Sequence, residues 1–298
     1  MDFIPREQEE TSGFMQLFRL VMYFCISGLV ILGIGCGLVY LIYGMAGFEM
    51  MAHPRVGSLG PLRIIQISSS VFVLFPALWL AWSEGQHIGH FYKFKPIRLS
   101  LLSCVIAIFI ISMPVLEWTI AINQKMLLPD FLQALQNWMQ EKEEAAAELT
   151  KTLLQINGIS DFLINIFMIA VMPAVAEEFM FRGAIQRSFS KIFRNQHVAI
   201  WITAFIFSAI HVQFFGFLPR FLMGAAFGYL YFWSGSLWYA ILAHFLNNAY
   251  AVCAAWYMQK NNIPLSEADQ LHFTWYGYAI SFILTILAFQ FFKKQTNK

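Results

Sequence analysis

Two adjacent carboxylates and an arginine end a long apolar run in "PAVAEEFMFRG", residues 173–183. An ionisable group at membrane depth costs about 3 kcal/mol or more unless it is paired or hydrated, so it is by default a candidate functional residue. Glu178 and Arg182 are spaced i,i+4 and can pair on one helix face. Glu177 is turned about 100° from that face and has no local partner. A free carboxylate beside a paired one suits a general base with an oriented neighbour. Pro173 removes a backbone donor four residues earlier and is expected to kink the helix.

Two further polar sets lie in apolar surroundings. "FSAIH" (207–211) places His211 in an apolar span, and "HFLNN" (244–248) places His244 and Asn248 at i,i+4 on one face. Taken singly, each has a plain structural reading, a histidine bonded to a backbone carbonyl or an asparagine joining two helices. Their depths group them. With a turn near Asn195, Glu177 and His211 lie 18 and 16 residues from it, roughly 27 and 24 Å along helices that rise ~1.5 Å per residue. His244 is nine residues past a turn at Gly235, or ~14 Å. The levels then match if the two helices flanking Asn195 extend about 10 Å farther past the membrane. Gly224 and Gly228 in "GAAFG" allow a helix there to approach a neighbour closely.

The elements that must position these groups are membrane helices. Hydrophobic residues make up 59% of the 298-residue chain and charged ones 12%, which is outside the range of a soluble domain. Apolar stretches long enough to cross ~30 Å of hydrocarbon fall at 17–43, 62–82, 99–121, 161–181, 198–215, 217–233, 237–258 and 274–292. The expected fold is all-α, a polytopic membrane protein of about eight transmembrane helices with the active site inside the bundle. Residues 1–298 read as a single integral membrane domain, with 160–258 as its catalytic core. The first 16 residues set Arg6 against Asp2, Glu7, Glu9 and Glu10, so a basic signal-peptide n-region is missing and the first span is expected to stay. With both termini in the cytoplasm, twelve of the 19 Lys and Arg residues fall in inner segments. The other seven, Arg55 and Arg220 among them, are assigned to outer segments. Residues 128–154 place Phe131, Leu135, Trp138, Met139, Ala146, Leu149 and Leu153 at helical spacing away from the acidic positions. This predicts an outer amphipathic helix, either a connector shielding the bundle or a cap over the substrate path.

Composition also excludes some functions. A net charge of +2 gives no footprint for nucleic acid. Cys25, Cys36, Cys104 and Cys253 sit in predicted spans without CxxC spacing and read as packing residues. No Walker loop or GxGxxG is present to drive transport with nucleotide.

"EEFMFR", "FSAIH" and "HFLNN", as EExxxR, FxxxH and HxxxN on successive helices, resemble the signature of the CPBP family. These are the CAAX prenyl endopeptidases and bacteriocin-processing enzymes of the Abi type. The lead-in "SGSLWYAILAH" resembles that family's approach to its third motif, and the resemblance covers about residues 160–258. It implies an intramembrane endopeptidase in which Glu177 and His211 activate a water and His244 with Asn248 stabilises the oxyanion. Glu178 and Arg182 support them from behind. The implied partners are a peptide or protein substrate, lipidated or membrane-embedded, and the lipid bilayer. No cofactor is expected. Zinc held by Glu177, His211 and His244 is the alternative, without an HExxH motif to favour it. A proton- or ion-coupled transporter and a non-catalytic scaffold of the same fold are the competing functions.

Overall fold

The computed structural model describes residues 10–53, 58–264 and 273–296. Asp2, Arg6, Glu7, Glu9, Arg55 and Lys298, used above for charge and orientation, lie outside the described residues.

Long apolar sequence forms long helices here, and no strand occurs among the described residues. The elements are α1 (Gly13–Tyr43), α2 (Met45–Ala52), α3 (Leu59–Ser83), the single turn α4 (Ile88–Phe91), α5 (Leu99–Gln124), α6 (Gln133–Leu153), α7 (Ile159–Phe193), α8 (Gln196–Ala209), α9 (Phe217–Ser234), α10 (Leu237–Lys260) and α11 (Trp275–Thr296). Large apolar side chains such as Leu29, Leu41, Leu99 and Phe167 stay exposed on the outside. In a chain of these helices, that is the face for lipid. The protein is an all-α, multi-pass integral membrane protein.

Each of the eight expected stretches is helical over most of its length, but a count of eight spans is not confirmed. Among the described residues, five helices, α1, α3, α5, α7 and α11, are long and apolar enough to cross a membrane. The apolar run 198–215 gives only the 14-residue α8, which ends at Ala209. His211 therefore lies in the turn beyond the helix and not within a span. α9 and α10 contain Arg220, His244, Asn247 and Asn248, whose polarity lowers their apolar character.

α7 is the centre of the bundle and packs against α1, α3, α8, α9 and α10. It is not a uniform α-helix. Wide π-helical turns at Ile166–Val171 and Phe179–Gln186 interrupt it on both sides of the regular segment Met172–Glu178. Such turns are frequent at functional sites because they re-aim the side chains that follow. The turn between α7 and α8 falls at Arg194 and Asn195, where Asn195 caps α8 by accepting from the N–H groups of His197 and Val198.

Small residues bring α9 close to its neighbours. Gly224 faces Ala204 and Phe207 of α8, and Gly228 faces Ile200 of α8 and Gln186 of α7. A Cβ at 228 would lie 2.7 Å from Gln186 Oε1 and 2.9 Å from Ile200 Cγ2, inside contact distance. The backbone so exposed is used. Arg182 Nη2 donates to the Gly224 carbonyl at 3.0 Å and Gln186 Nε2 to that of Gly228 at 3.3 Å.

The amphipathic segment forms α6 as expected. Its apolar stripe, including Phe131, Leu135, Trp138 and Leu149, is largely uncovered by protein, while Leu153 is buried. The helix is tied to the bundle by polar contacts. Gln136 Oε1 accepts from the Leu128 N–H, and Glu143 Oε2 accepts from the Phe215 N–H in the turn after His211.

Candidate active site

Arg182 and Glu178 are both fully buried, with Arg182 Nη1 2.6 Å from Glu178 Oε1. The guanidinium lies 4.5 Å from the centre of the Phe207 ring and 5.3 Å from that of Phe227, so aromatic faces cover its charge where water cannot. The same Glu178 oxygen takes a second contact from His244 Nδ1 at 2.8 Å. A carboxylate paired with an arginine accepts, so His244 carries its proton on Nδ1 and turns Nε2 away from the pair. Phe227 stacks on the His244 ring with centroids 5.3 Å apart and fixes its plane.

Glu177 leaves α7 one residue earlier and faces the other way. Its carboxylate lies 3.8 Å from His244 Nε2, and its side chain keeps 22% of its exposure where Glu178 keeps none. His211 comes from the turn beyond α8. Its Nδ1 contacts the Phe207 carbonyl at 2.7 Å. A carbonyl only accepts, so Nδ1 bears the hydrogen and Nε2 keeps its lone pair. The next residue, Val212, has φ of 53°. A β-branched side chain there is strained, which is a local cost of making the turn that presents His211.

Asn248 has a backbone reason for its position. In a regular α-helix the Ile169 carbonyl would accept from residue 173, but Pro173 has no N–H. Asn248 Nδ2 donates to that carbonyl instead, at 3.2 Å. The Asn248 Oδ1 accepts from Asn247 Nδ2 at 3.2 Å.

Glu177, His211, His244 and Asn248 all line one cavity of about 270 Å³. Two polar lining residues were not among the sequence candidates. Asn247 neighbours the HxxxN motif. Arg220, assigned above to an outer segment, sits in the first turn of α9 with Nη2 2.7 Å from Gln213 Oε1. The signal for Arg220 was present, since it is an ionisable residue inside a stretch read as a span. Among the described residues, no group of three His, Cys, Asp or Glu side chains is placed to hold a metal ion.

The cavity thus gathers a carboxylate, two imidazoles, two amides and a guanidinium inside an apolar bundle, groups that can bind and polarise a small polar molecule such as water. Comparison with known proteins points the same way. Residues 159–250 match the family described as Type II CAAX prenyl endopeptidase Rce1-like, so this segment is of the CPBP type that the three motifs resemble. The "Uncharacterized protein YpbD" of Bacillus subtilis (strain 168) is 30% identical over 93 residues. That alignment covers 30% of this chain, which spans less than half of the relative's length, 44%. No solved structure matches the chain.

Proposed function

We propose that this protein is an intramembrane endopeptidase that hydrolyses a peptide bond by direct attack of water. The observation that carries the reading is the convergence of Glu177, His211 and His244 on one polar cavity inside apolar helices. Glu177 takes a proton from the water as its oxygen attacks the scissile carbonyl carbon. His211 orients that water through Nε2, because Nδ1 is committed to Phe207. The negative oxygen of the tetrahedral intermediate is met by His244 and by the remaining N–H of Asn248. His244 serves when Nε2 is protonated, an imidazolium that Glu178 supports through Nδ1. The C–N bond then breaks, and Glu177 returns the proton to the leaving amine. Arg182 holds Glu178 in place, and Arg220 adds a positive charge to the cavity wall.

The mechanism proposed uses no metal. No HExxH motif supplies a short-range ligand pair, the candidate ligands come from separate elements, and Asn248 stands where it can meet an oxyanion that a Lewis acid would otherwise stabilise. The substrate proposed is a peptide or protein segment presented from the bilayer. Both termini are proposed to be cytoplasmic, with α6 outside.

Peptide profiling of membranes holding the intact protein against a Glu177→Gln variant tests the reading. Products that vanish in the variant support it. Identical profiles, together with ion or proton flux through reconstituted protein, would make the intramembrane Glu and His residues a relay instead.

A further inference from the structure

A second polar cavity, of about 310 Å³, lies at the end of the bundle where α7 and α9 finish and α8 begins. Three of its lining residues are Lys93, Arg187 and Lys191. Lys95 adds a fourth cation, since its Nζ lies 2.8 Å from where a side chain on the lining residue Gly235 would start. One carboxylate answers them: Glu10 pairs with both Arg187 and Lys191. Burial alone would raise the Glu10 pKa, but those two partners outweigh it and hold the carboxyl at about 2. Glu10 is therefore fully charged at neutral pH, and the cluster still keeps an excess of positive charge.

The lining is also short of hydrogen-bond partners. Arg187 spends its two terminal nitrogens on the Phe91 carbonyl and on Glu10, and its Nε is buried without a partner. Gln186, 3% exposed, has an unpartnered Oε1. The Lys93 ammonium makes no hydrogen bond or ion pair among the described residues, and desolvation, then the charges of Arg187 and Lys95, lower its pKa. Crowded cations and an orphaned guanidinium N–H call for an anion with several acceptor oxygens. The depth is that of lipid headgroups. The cavity lies among helix ends, the exposed Phe232 lines it, and the exposed Trp238 stands in the first turn of α10, three residues past the lining Gly235, as aromatic residues mark a membrane boundary.

We infer that this cavity binds a phosphate group, carried by an anionic phospholipid headgroup or supplied as free phosphate. Basic pockets between membrane helices at this depth hold such headgroups. The bound phosphate bridges the 92–98 loop to the end of α7. α7 carries Glu177 and Glu178 farther along, so the ligand steadies the helix that holds the candidate catalytic carboxylates. The site is separate from that cavity, and its binding stands whether or not the chain cleaves peptides.

The test uses the full-length protein in nanodiscs of phosphatidylcholine with increasing phosphatidylglycerol, read by thermal unfolding and by lipid retention in native mass spectrometry. Phosphatidylglycerol should raise Tm and stay bound. Lys93→Gln and Lys191→Gln should each weaken the apparent affinity about fivefold, as expected from ~1 kcal/mol per basic residue near anionic lipid. Glu10→Gln should strengthen it, because the competing carboxylate is gone, even if the variant's own Tm falls. Inorganic phosphate added to pure phosphatidylcholine discs separates the sources: an equal Tm rise points to free phosphate, and no rise with phosphatidylglycerol still active points to the headgroup. Equal Tm under all three conditions overturns the site. So does a loss from Lys294→Gln, at the end of α11, as large as that from Lys93→Gln, which would mean diffuse surface charge.

Discussion

Arg182 has two of its three nitrogens bonded, two aromatic faces against it and no exposure to water. Breaking a buried ion pair by removing one partner costs about 3–5 kcal/mol, because the other charge is left uncompensated. Arg182→Ala should therefore lower the thermal midpoint sharply and lose turnover with it. Glu177→Gln should behave differently. Glu177 faces the cavity and supports no other buried charge as Glu178 does, so the variant should keep its midpoint while activity falls about 10²–10⁴-fold, the usual worth of a general base. Thermal melts and turnover measured on the same preparations check both, and a Glu177→Gln enzyme with ordinary turnover would sink the assignment. The Glu178–Arg182 pairing was legible from spacing alone, since only one of two adjacent glutamates can meet Arg182 across a helical turn. Asn247 was less legible, because its importance depends on which face α10 turns to the cavity. Arg220 was less legible too, because a cation in the first turn of a span also suits an interfacial loop.

At the scale of elements, Pro173 and Asn248 form a compensating pair across α7 and α10. Asn248→Ala would leave the Ile169 carbonyl without the amide that now serves it, at a cost of about 1–3 kcal/mol. Pro173→Ala restores an N–H at 173, so the double variant should recover much of that stability. If Asn248 also meets the oxyanion, turnover stays low in the double variant although its midpoint returns; recovery of both would reduce Asn248 to a structural role. Gly228→Ala addresses the close packing of α9. A methyl group there meets Gln186 and Ile200, and overpacking of this kind costs typically ~1–3 kcal/mol, measurable as a lower midpoint. The GxxxG-like spacing of Gly224 and Gly228 marks this approach in the sequence. The end of α8 was not announced, because the run through His211 has no glycine or proline before Gly216 and its break depends on the turn at 210–212. The π turns of α7 were likewise unreadable, although Pro173 marks where the first one is needed.

At the scale of the whole molecule, basic residues gather at one end of the bundle. Arg98 Nη2 donates to the Gln295 carbonyl near the end of α11, the Leu237 N–H donates to the Lys93 carbonyl at the start of α10, and Lys191 on α7 pairs with Glu10 just before α1. The first and last described residues therefore lie at the same end. α5 and α9 run from one end of the bundle to the other, which puts α6 at the far end beside the 214–216 turn. This much agrees with an even number of crossings, although among the described residues only five helices meet the length and polarity expected of a span. The site helices α9 and α10 fall short because they turn polar groups inward, so apolarity alone undercounts the elements that matter most to function. The excess of Lys and Arg at this end is the ground on which it is proposed to face the cytoplasm. In a variant lacking Cys25, Cys36, Cys104 and Cys253, a cysteine at Glu144 on α6 should react with an impermeant thiol reagent applied to intact cells. One at Lys294 should react only after the membrane is opened. The reverse pattern would invert the bundle and place the phosphate cavity at the outer leaflet, while the relative positions of Glu177, His211 and His244 would be untouched.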